Sequence, residues 1–229
     1  MKALYELADQ KVTVISGPYG SGKTNIAVNL AMDLAKNGRI CRIADLDIVN
    51  PYFRTNDVMQ TLKDKGIDVV ASAYASSNVD IPALPAEMAS VFDNPERFVV
   101  LDVGGDEDGA AVLGRFSPRI KNEDYEMIMV INAKRPLSST AEEIIELMSE
   151  IERTSRLKIT GLVNNTNLSY QSTVEDLLEG QKVVEEVSQR TGLPILYIAG
   201  TKEILDALPQ NLNYPRLCLE LNMHLPFKA

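Results

Sequence analysis

The sequence has few of the residue types on which several kinds of active site depend. Its 229 residues include one histidine, His224, and two cysteines, Cys41 and Cys218, which lie far apart and form no C-x-x-C pair. We therefore expect neither a histidine-based zinc site nor a Ser-His-Asp triad. A disulfide framework and a cysteine-bound metal cluster are not indicated either. Any catalysis must come from carboxylates, a phosphate-binding loop and a metal ion.

Long apolar runs and clustered positive charge are also missing. No apolar run approaches the roughly 20 residues that a membrane-spanning helix needs, and the N-terminal segment is too acidic for a signal peptide. The formal net charge is −9, and Lys and Arg form no basic stripe of the kind that binds nucleic acid. We therefore expect a cytoplasmic protein that binds neither nucleic acid nor membranes.

A phosphate-binding loop stands near the N-terminus. The segment Gly17-Pro18-Tyr19-Gly20-Ser21-Gly22-Lys23-Thr24 has the spacing G-x-x-x-x-G-K-[ST]. It follows a predicted strand over 11–16 and opens a predicted helix near Asn25. The order of the glycines does not fit the dinucleotide-binding pattern G-x-G-x-x-G.

The residue types in this loop suit a nucleoside triphosphate with magnesium. Glycines let backbone amides surround phosphate oxygens, and the start of a helix adds positive potential. Lys23 is predicted to reach the terminal phosphates, and Thr24 to hold the magnesium ion. We predict that the whole loop and Asn25 bind the nucleotide, with Lys23 catalytic. The alternative is a glycine-rich turn with an ordinary surface lysine.

Two further predicted strands end in carboxylates. A strand over 40–46 leads into Asp45 and Asp47, and the apolar run 97–102 ends in Asp102. Ligands bind at this carboxyl edge of parallel sheets. Asp102 fits a Walker B pattern that holds magnesium through water, while Asp47 is predicted to bind magnesium or orient the attacking water. Alternatively, Asp45 caps a turn and Asp47 is simply solvated.

The loop after Asp102 has the composition of a nucleotide-sensing switch. Its residues 103–109 are rich in glycine and acid. Glycine lets the backbone approach a ligand closely, so the amide of Gly105 is predicted to approach the γ-phosphate and to move away after hydrolysis.

Strand and helix patterns alternate along the chain. This alternation predicts an α/β fold with a mostly parallel, doubly wound sheet and helices on both faces. We expect one nucleotide-binding domain over 1–229, with a C-terminal extension, 210–229, that forms an edge strand. Capping boxes at 139–142 and 172–175 predict the starts of two helices. The predicted strands are 40–46, 67–71, 97–102, 125–133, 157–163 and 195–199, and the predicted helices are 25–36, 55–66, 86–92, 139–156 and 172–190.

A run of four polar residues bears on the choice of base. Asn164-Asn165-Thr166-Asn167 stands at a strand end where many guanine-binding P-loop proteins have N-K-x-D. The run contains neither Lys nor Asp, so guanine loses its main carboxylate partner and ATP is preferred. Asn164 is a candidate for hydrogen bonds to adenine, although Asn is also a common turn residue.

This order of motifs resembles the MinD/ParA group of P-loop ATPases, which also holds CobQ/CobB-like and nitrogenase-iron-protein-like proteins. The P-loop, Asp45-Leu46-Asp47, 102–105 and Asn164 carry the resemblance, which covers about residues 11–208. It implies ATP and Mg²⁺ as cofactors, switch loops at 47–54 and 104–108, and Asp47 as the residue that positions water. Since the chain has two predicted switch loops and no second catalytic constellation, we expect a switch that hydrolyses ATP slowly, forms a homodimer, and controls or loads a protein partner.

The chain departs from this group at the residue after the first P-loop glycine. There the group has a signature lysine that reaches across an ATP-bound dimer, and this chain has Pro18. A proline supplies neither the charge nor a backbone donor; Arg54, Lys134 or Arg135 could substitute. The alternative activities are an ATP-dependent ligase that activates a small carboxylate, as in dethiobiotin- and cobyrinate-type synthetases, or a nucleotide sensor with vanishing turnover.

Overall fold

A single parallel sheet of eight strands forms the centre of the molecule, in the order β3-β2-β4-β1-β5-β6-β7-β8. The computed structural model describes residues 10–47, 56–71, 90–94, 96–105 and 107–220. Every pair of neighbouring strands is parallel. The strands are β1 (Val12–Ser16), β2 (Cys41–Asp45), β3 (Asp68–Ala71), β4 (Phe98–Asp102), β5 (Tyr125–Ile131), β6 (Gly161–Asn164), β7 (Ile195–Gly200) and β8 (Arg216–Cys218).

The helices cover both faces of the sheet. Within the described residues they are α1 (Lys23–Lys36), α2 (Asn56–Asp64), α3 (Glu107–Ile120), α4 (Ala141–Ser155), α5 (Val174–Thr191) and α6 (Lys202–Asp206). Helices α1 and α2 contribute to one hydrophobic core, and α3, α4 and α5 to the other. The α/β fold with a doubly wound sheet is therefore confirmed.

The direction of the chain across the sheet reverses beside β1. From β1 the chain moves to β2 and then β3 on one side, returns through β4, and continues through β5 to β8 on the other side. Crossovers between parallel strands are right-handed, so this reversal sends the later helices to the opposite face. The crevice outside the carboxyl end of β1 is the topological switch point, where open α/β sheets bind ligands.

Strand residues alternate between the two cores. In β5, Met127, Met129 and Ile131 pack with α3 to α5, whereas Ile128 and Val130 pack with α1. This follows from the two-residue period of a strand. Because both faces are covered, residues 127–131 of this strand form an uninterrupted apolar run rather than an alternating one.

Several element boundaries differ from the sequence-based ones. The predicted strand 157–163 begins only at Gly161. Leu157 and Ile159 are buried in the core, but the Ile159 amide donates to Glu152 Oε1 at 2.9 Å instead of extending the ladder. In the described part of the C-terminal extension, Arg216–Cys218 forms the edge strand β8, and residues 221–229 lie outside the described residues. Most of the predicted helix 86–92 lies outside the described residues, and 90–92 forms a 3-10 turn.

The two predicted capping boxes are each displaced by one residue. Thr140 and Glu143 cap α4, and Thr173 and Asp176 cap α5, with both reciprocal hydrogen bonds present in each case. Each start contains two hydroxyl residues in a row followed by two acids in a row, so the local sequence allows both registers. Glu142, predicted to lie in the cap, instead pairs with Arg190 on α5.

No helix in the described part of the chain combines the length and apolarity needed to cross a bilayer.

We expect Thr140→Ala to lower the free energy of unfolding by about 1 kcal/mol, because it removes the acceptor for the Glu143 amide. Ser139→Ala removes only an exposed side-chain hydrogen bond to Glu143 and should cost less than about 0.5 kcal/mol. Urea denaturation of the two variants measures both values. A larger loss for Ser139→Ala would place the N-cap one residue earlier.

Candidate nucleotide-binding site

The predicted phosphate-binding loop connects β1 to α1 at the switch point of the sheet. Side chains hold three of its carbonyl oxygens. Pro18 O accepts from Lys23 Nζ at 3.0 Å, Gly20 O from Arg135 Nε at 3.2 Å, and Ser21 O from Asn165 Nδ2 at 2.7 Å. The N–H and C=O of one peptide unit point in opposite directions. Holding these carbonyls therefore also fixes the directions of the amides that follow them. The Ser21 amide, which follows Gly20, donates to Pro18 O at 3.2 Å.

Gly22 connects the loop to the helix in a conformation that suits glycine. Its φ is +89°, and a β-carbon there would lie 2.3 Å from Asn165 Nδ2. The residue is the N-cap of α1, and the first amides of a helix have no acceptor within the helix. These amides and the positive end of the helix dipole favour an anion at this position.

Lys23 is held within the loop. Its side chain is only 6% exposed, and its ammonium donates to the Pro18 carbonyl. The ammonium also acts on Asp102, whose pKa it lowers. A buried lysine that donates to a neutral carbonyl can exchange this acceptor for a phosphate oxygen, which forms a stronger, charge-assisted hydrogen bond.

The predicted Walker B carboxylate lies next to the loop. Asp102 ends β4 opposite Ile15 of β1, and in register with Asp45 of β2. Ile43 and Val100, two residues earlier in their strands, pack with α1. By the two-residue period of strands, both carboxylates therefore lie on the face that carries α1.

Asp102 is a buried carboxyl group with open acceptor positions. It is 1% exposed, and neither oxygen accepts a hydrogen bond of good geometry from the residues that the structure describes. Burial raises its pKa to about 7; the nearby Thr24 hydroxyl and Lys23 lower the pKa, and Asp47 raises it. A carboxylate with free oxygens beside a hydroxyl is the oxygen-rich environment that Mg²⁺ prefers. Thr24 and Asp102 therefore fit the predicted cation.

The two other aspartates have different roles in the local structure. Asp45 is buried, and its Oδ1 accepts from the Asp47 amide at 2.9 Å, so it stabilises the turn after β2. Asp47 is half-buried and close enough to Asp102 to raise its pKa. The remaining residues of the predicted first switch loop, 48–54, lie outside the described residues. No group of three or more His, Cys, Asp or Glu side chains in the described ranges is arranged to hold a metal.

The second predicted switch loop is in direct contact with the phosphate-binding loop. At Gly105 a β-carbon would lie 2.6 Å from the Tyr19 nitrogen and 2.8 Å from the Gly17 oxygen. Only glycine fits this approach. The structure thus places the Gly105 backbone against the segment that was predicted to receive the phosphates.

Asn164 and Asn165 differ in what they contact. Asn164 is fully buried; its Nδ2 donates to Leu177 O at 3.1 Å and Gln181 Oε1 at 3.0 Å, and its Oδ1 accepts from the Thr166 amide. These contacts favour the structural alternative for Asn164 over a contact with adenine. Asn165, which the sequence-based prediction did not select, anchors the phosphate-binding loop through Ser21.

The three basic residues that could substitute for the signature lysine differ in their surroundings. Lys134 forms ion pairs with Asp176 at 3.0 Å and Glu179 at 2.7 Å, and hydrogen bonds to these acids raise its pKa. Arg135 lies on the phosphate-binding loop. Arg54 lies outside the described residues.

Comparison with known proteins agrees with the geometry of this site. Residues 12–202 match the family model of the CobQ/CobB/MinD/ParA nucleotide-binding domain. The chain belongs to this family. As a member of the CobQ/CobB/MinD/ParA family it is a nucleotide-binding P-loop NTPase of the MinD/ParA type. No curated protein matches the sequence.

Solved structures of FtsY share the fold. The cell division protein FtsY of Thermotoga maritima is 18% identical with a TM-score of 0.54, over 85% of this chain and 63% of that one. Chloroplast FtsY of Physcomitrella patens is 16% identical with a TM-score of 0.55, over 84% and 59%. The signal recognition particle receptor FtsY of Elizabethkingia anophelis, solved with GDP, is 20% identical with a TM-score of 0.51, over 85% and 58%.

These matches concern the fold alone. The chain covers less than two thirds of the length of each of the three FtsY structures, at 63%, 59% and 58%. What the FtsY proteins bind and assemble with is a property of those proteins.

The raised pKa of Asp102 predicts a pH dependence that Asp102→Asn should remove. Between about pH 4 and about pH 7 the folded protein keeps a proton that the unfolded chain releases. The contribution of this carboxyl to stability is thus present at low pH and lost as pH rises. Without nucleotide or metal, the variant should match the wild type near pH 4. It should be more stable near pH 8, by at most about 1.4 kcal/mol for each pKa unit.

Urea denaturation of both proteins at several pH values measures this difference. Two curves that stay parallel from pH 4 to pH 8 would contradict a raised pKa for Asp102.

Proposed function

We propose that the protein is an ATPase that works as a nucleotide-dependent switch. It binds Mg-ATP in the loop 17–24, hydrolyses it slowly, and controls or loads a protein partner according to its nucleotide state, with dimerisation as part of the cycle. The observation that carries this proposal is the contact of Gly105 with the phosphate-binding loop, next to the open oxygens of Asp102. The described residues add no second catalytic constellation beyond this one.

Each side chain of the site has its own role in binding and hydrolysis. Lys23 exchanges the Pro18 carbonyl for a phosphate oxygen, and the amides of the loop and of α1 bind the remaining phosphate oxygens. Thr24 and Asp102 would hold Mg²⁺, which would neutralise negative charge on the phosphates. Asp47 orients the attacking water. Protonation of Asp102 competes with cation binding, so the ionised form of this group is the functional one.

The contact at Gly105 would let the bound nucleotide change the conformation of a surface that a partner binds. A triphosphate in the loop would meet the backbone of 104–105, which now packs against Tyr19 and Gly17. A shift of this segment to bring the Gly105 amide to the γ-phosphate would move the residues that lead into α3 (Glu107–Ile120). Switch loops of GTPases are ordered by the γ-phosphate and released on hydrolysis.

Lys23→Ala should weaken ATP binding tenfold or more, because it removes a charge-assisted contact set worth about 1.5–3 kcal/mol per contact. Lys36→Ala is the matched control: it removes an exposed lysine from the other end of the same helix. Isothermal titration calorimetry measures both affinities. Equal ATP affinity in Lys23→Ala and the wild type would remove this loop from consideration as the site.

The choice of ATP over GTP rests on the run 164–167, which lacks the acidic residue that guanine selection needs. GTP is the competing nucleotide, since one FtsY structure of the same fold was solved with GDP. The same titrations, repeated with Mg-GTP, separate the two.

The alternative is an ATP-dependent ligase that activates a small carboxylate. Pro18 favours it, because it stands where a switch of this family would carry its dimer-bridging lysine. Stimulation of ATP turnover by a small carboxylate would support the ligase. Stimulation by a protein would support the switch.

The oligomeric state of a hydrolysis-impaired variant separates these two functions. We expect Asp47→Ala protein to be a dimer with Mg-ATP and a monomer with Mg-ADP, because the ATP state persists when water is no longer positioned. Light scattering measures the mass in both nucleotides, and Lys23→Ala in Mg-ATP is the control that should stay monomeric. One mass under all conditions would contradict nucleotide-driven dimerisation and direct the work to carboxylate substrates.

A further inference from the structure

An arginine from a distant part of the chain contacts the phosphate-binding loop at Gly20. Arg135 follows β5 and donates through Nε to Gly20 O at 3.2 Å. A β-carbon at Gly20 would lie 3.3 to 3.6 Å from Arg135 Nε, Cδ and Cζ, so the side chain lies over this glycine. The residue is exposed, and its guanidinium therefore adjoins both the loop and the solvent in front of it.

The backbone that carries Arg135 is fixed by buried polar side chains. Ser138 Oγ donates to Asn132 O at 2.8 Å, and the Arg135 amide donates to the same oxygen at 3.1 Å. Asn132 also bonds the Lys134 amide through Oδ1, and Asn167 O through Nδ2. Asn132 and Ser138 are fully buried. The position of Arg135 at the loop therefore belongs to the folded protein and does not depend on a ligand.

The electrostatics of Arg135 differ from those of its neighbour. Lys134 pairs with Asp176 and Glu179 on the side of α5. Arg135 forms no ion pair with any acid among the residues that the structure describes, and its one recorded partner is a neutral carbonyl. A guanidinium has five N–H donors and is always charged. Its remaining donors and its charge suit a phosphate, which binds arginine through paired, charge-assisted hydrogen bonds.

We propose that Arg135 is a nucleotide-binding residue that contacts the phosphate chain. The inference rests on the proposed ATP site and adds to it a positive charge supplied from the loop after β5. In the absence of nucleotide the same side chain holds the Gly20 carbonyl. A purely structural role would need only one N–H donor for that carbonyl and no charge, and this difference makes the two roles separable.

The test compares two substitutions at Arg135 with one at Lys134. Arg135→Gln keeps an N–H donor for Gly20 O without the charge, and Arg135→Lys keeps both a donor and the charge. Calorimetry with Mg-ATP should show a loss of about tenfold for Arg135→Gln, the loss of one charge-assisted contact. Arg135→Lys keeps the charge but not the paired donors of a guanidinium, so it should lose less affinity than Arg135→Gln. Lys134→Gln should change ATP affinity by less than about twofold, because its charge is already paired with acids.

Inorganic triphosphate is the second probe. Its affinity should fall by the same factor as that of ATP in Arg135→Gln, because the contact is to phosphate and not to the nucleoside. Thermal unfolding of each variant verifies that the folded state is retained.

The outcomes separate this inference from the proposal on which it rests. Wild-type protein that binds neither ATP nor GTP would overturn the proposed function and this inference with it. Wild-type binding with unchanged affinity in Arg135→Gln would overturn the inference alone. A loss of ATP affinity in Arg135→Gln that inorganic triphosphate does not share would also overturn it, since the contact would then not be to the phosphate chain.

Discussion

The phosphate-binding loop depends on partners for its own carbonyl groups. Lys23 holds Pro18 O from α1, Arg135 holds Gly20 O from the loop after β5, and Asn165 holds Ser21 O from the end of β6. Two of the three come from 115 and 144 residues away in the chain. They reach the loop because β1 pairs with β5, and β5 with β6. The sheet order thus determines the shape of the loop.

The features of the fold that depend only on residues close together in the chain could be predicted from the sequence. The strand, loop and helix around the P-loop, the carboxylate at the end of β4 and the doubly wound sheet all have local patterns, and the structure has each of them. Sequence analysis could not predict Asn165 as an anchor of the loop, because that contact depends on strand order. The capping boxes were wrong by one residue for a different reason. The local sequence fits two registers there and does not by itself select one of them.

Asp102 shows why a site of this kind is a compromise between folding and binding. Burial raises the pKa of its carboxyl to about 7, so the protein environment disfavours the charge that a cation would need. Lys23 and Thr24 lower that pKa but do not cancel the effect of burial. A bound cation would supply the missing compensation, and its binding energy would therefore also stabilise the fold.

Asn164 and Asn165 are the same residue type but have different roles in the structure. The two are adjacent and identical, and successive strand residues point to opposite faces of a sheet. Val163 packs in the core beside α1, so the next residue faces α5, where Leu177 and Gln181 satisfy its amide. Asn165 returns to the side of α1 and reaches the phosphate-binding loop. To assign a role to a residue at a strand end, one therefore has to know which face of the sheet its side chain points to as well as its residue type. The helices that cover that face then determine its partners.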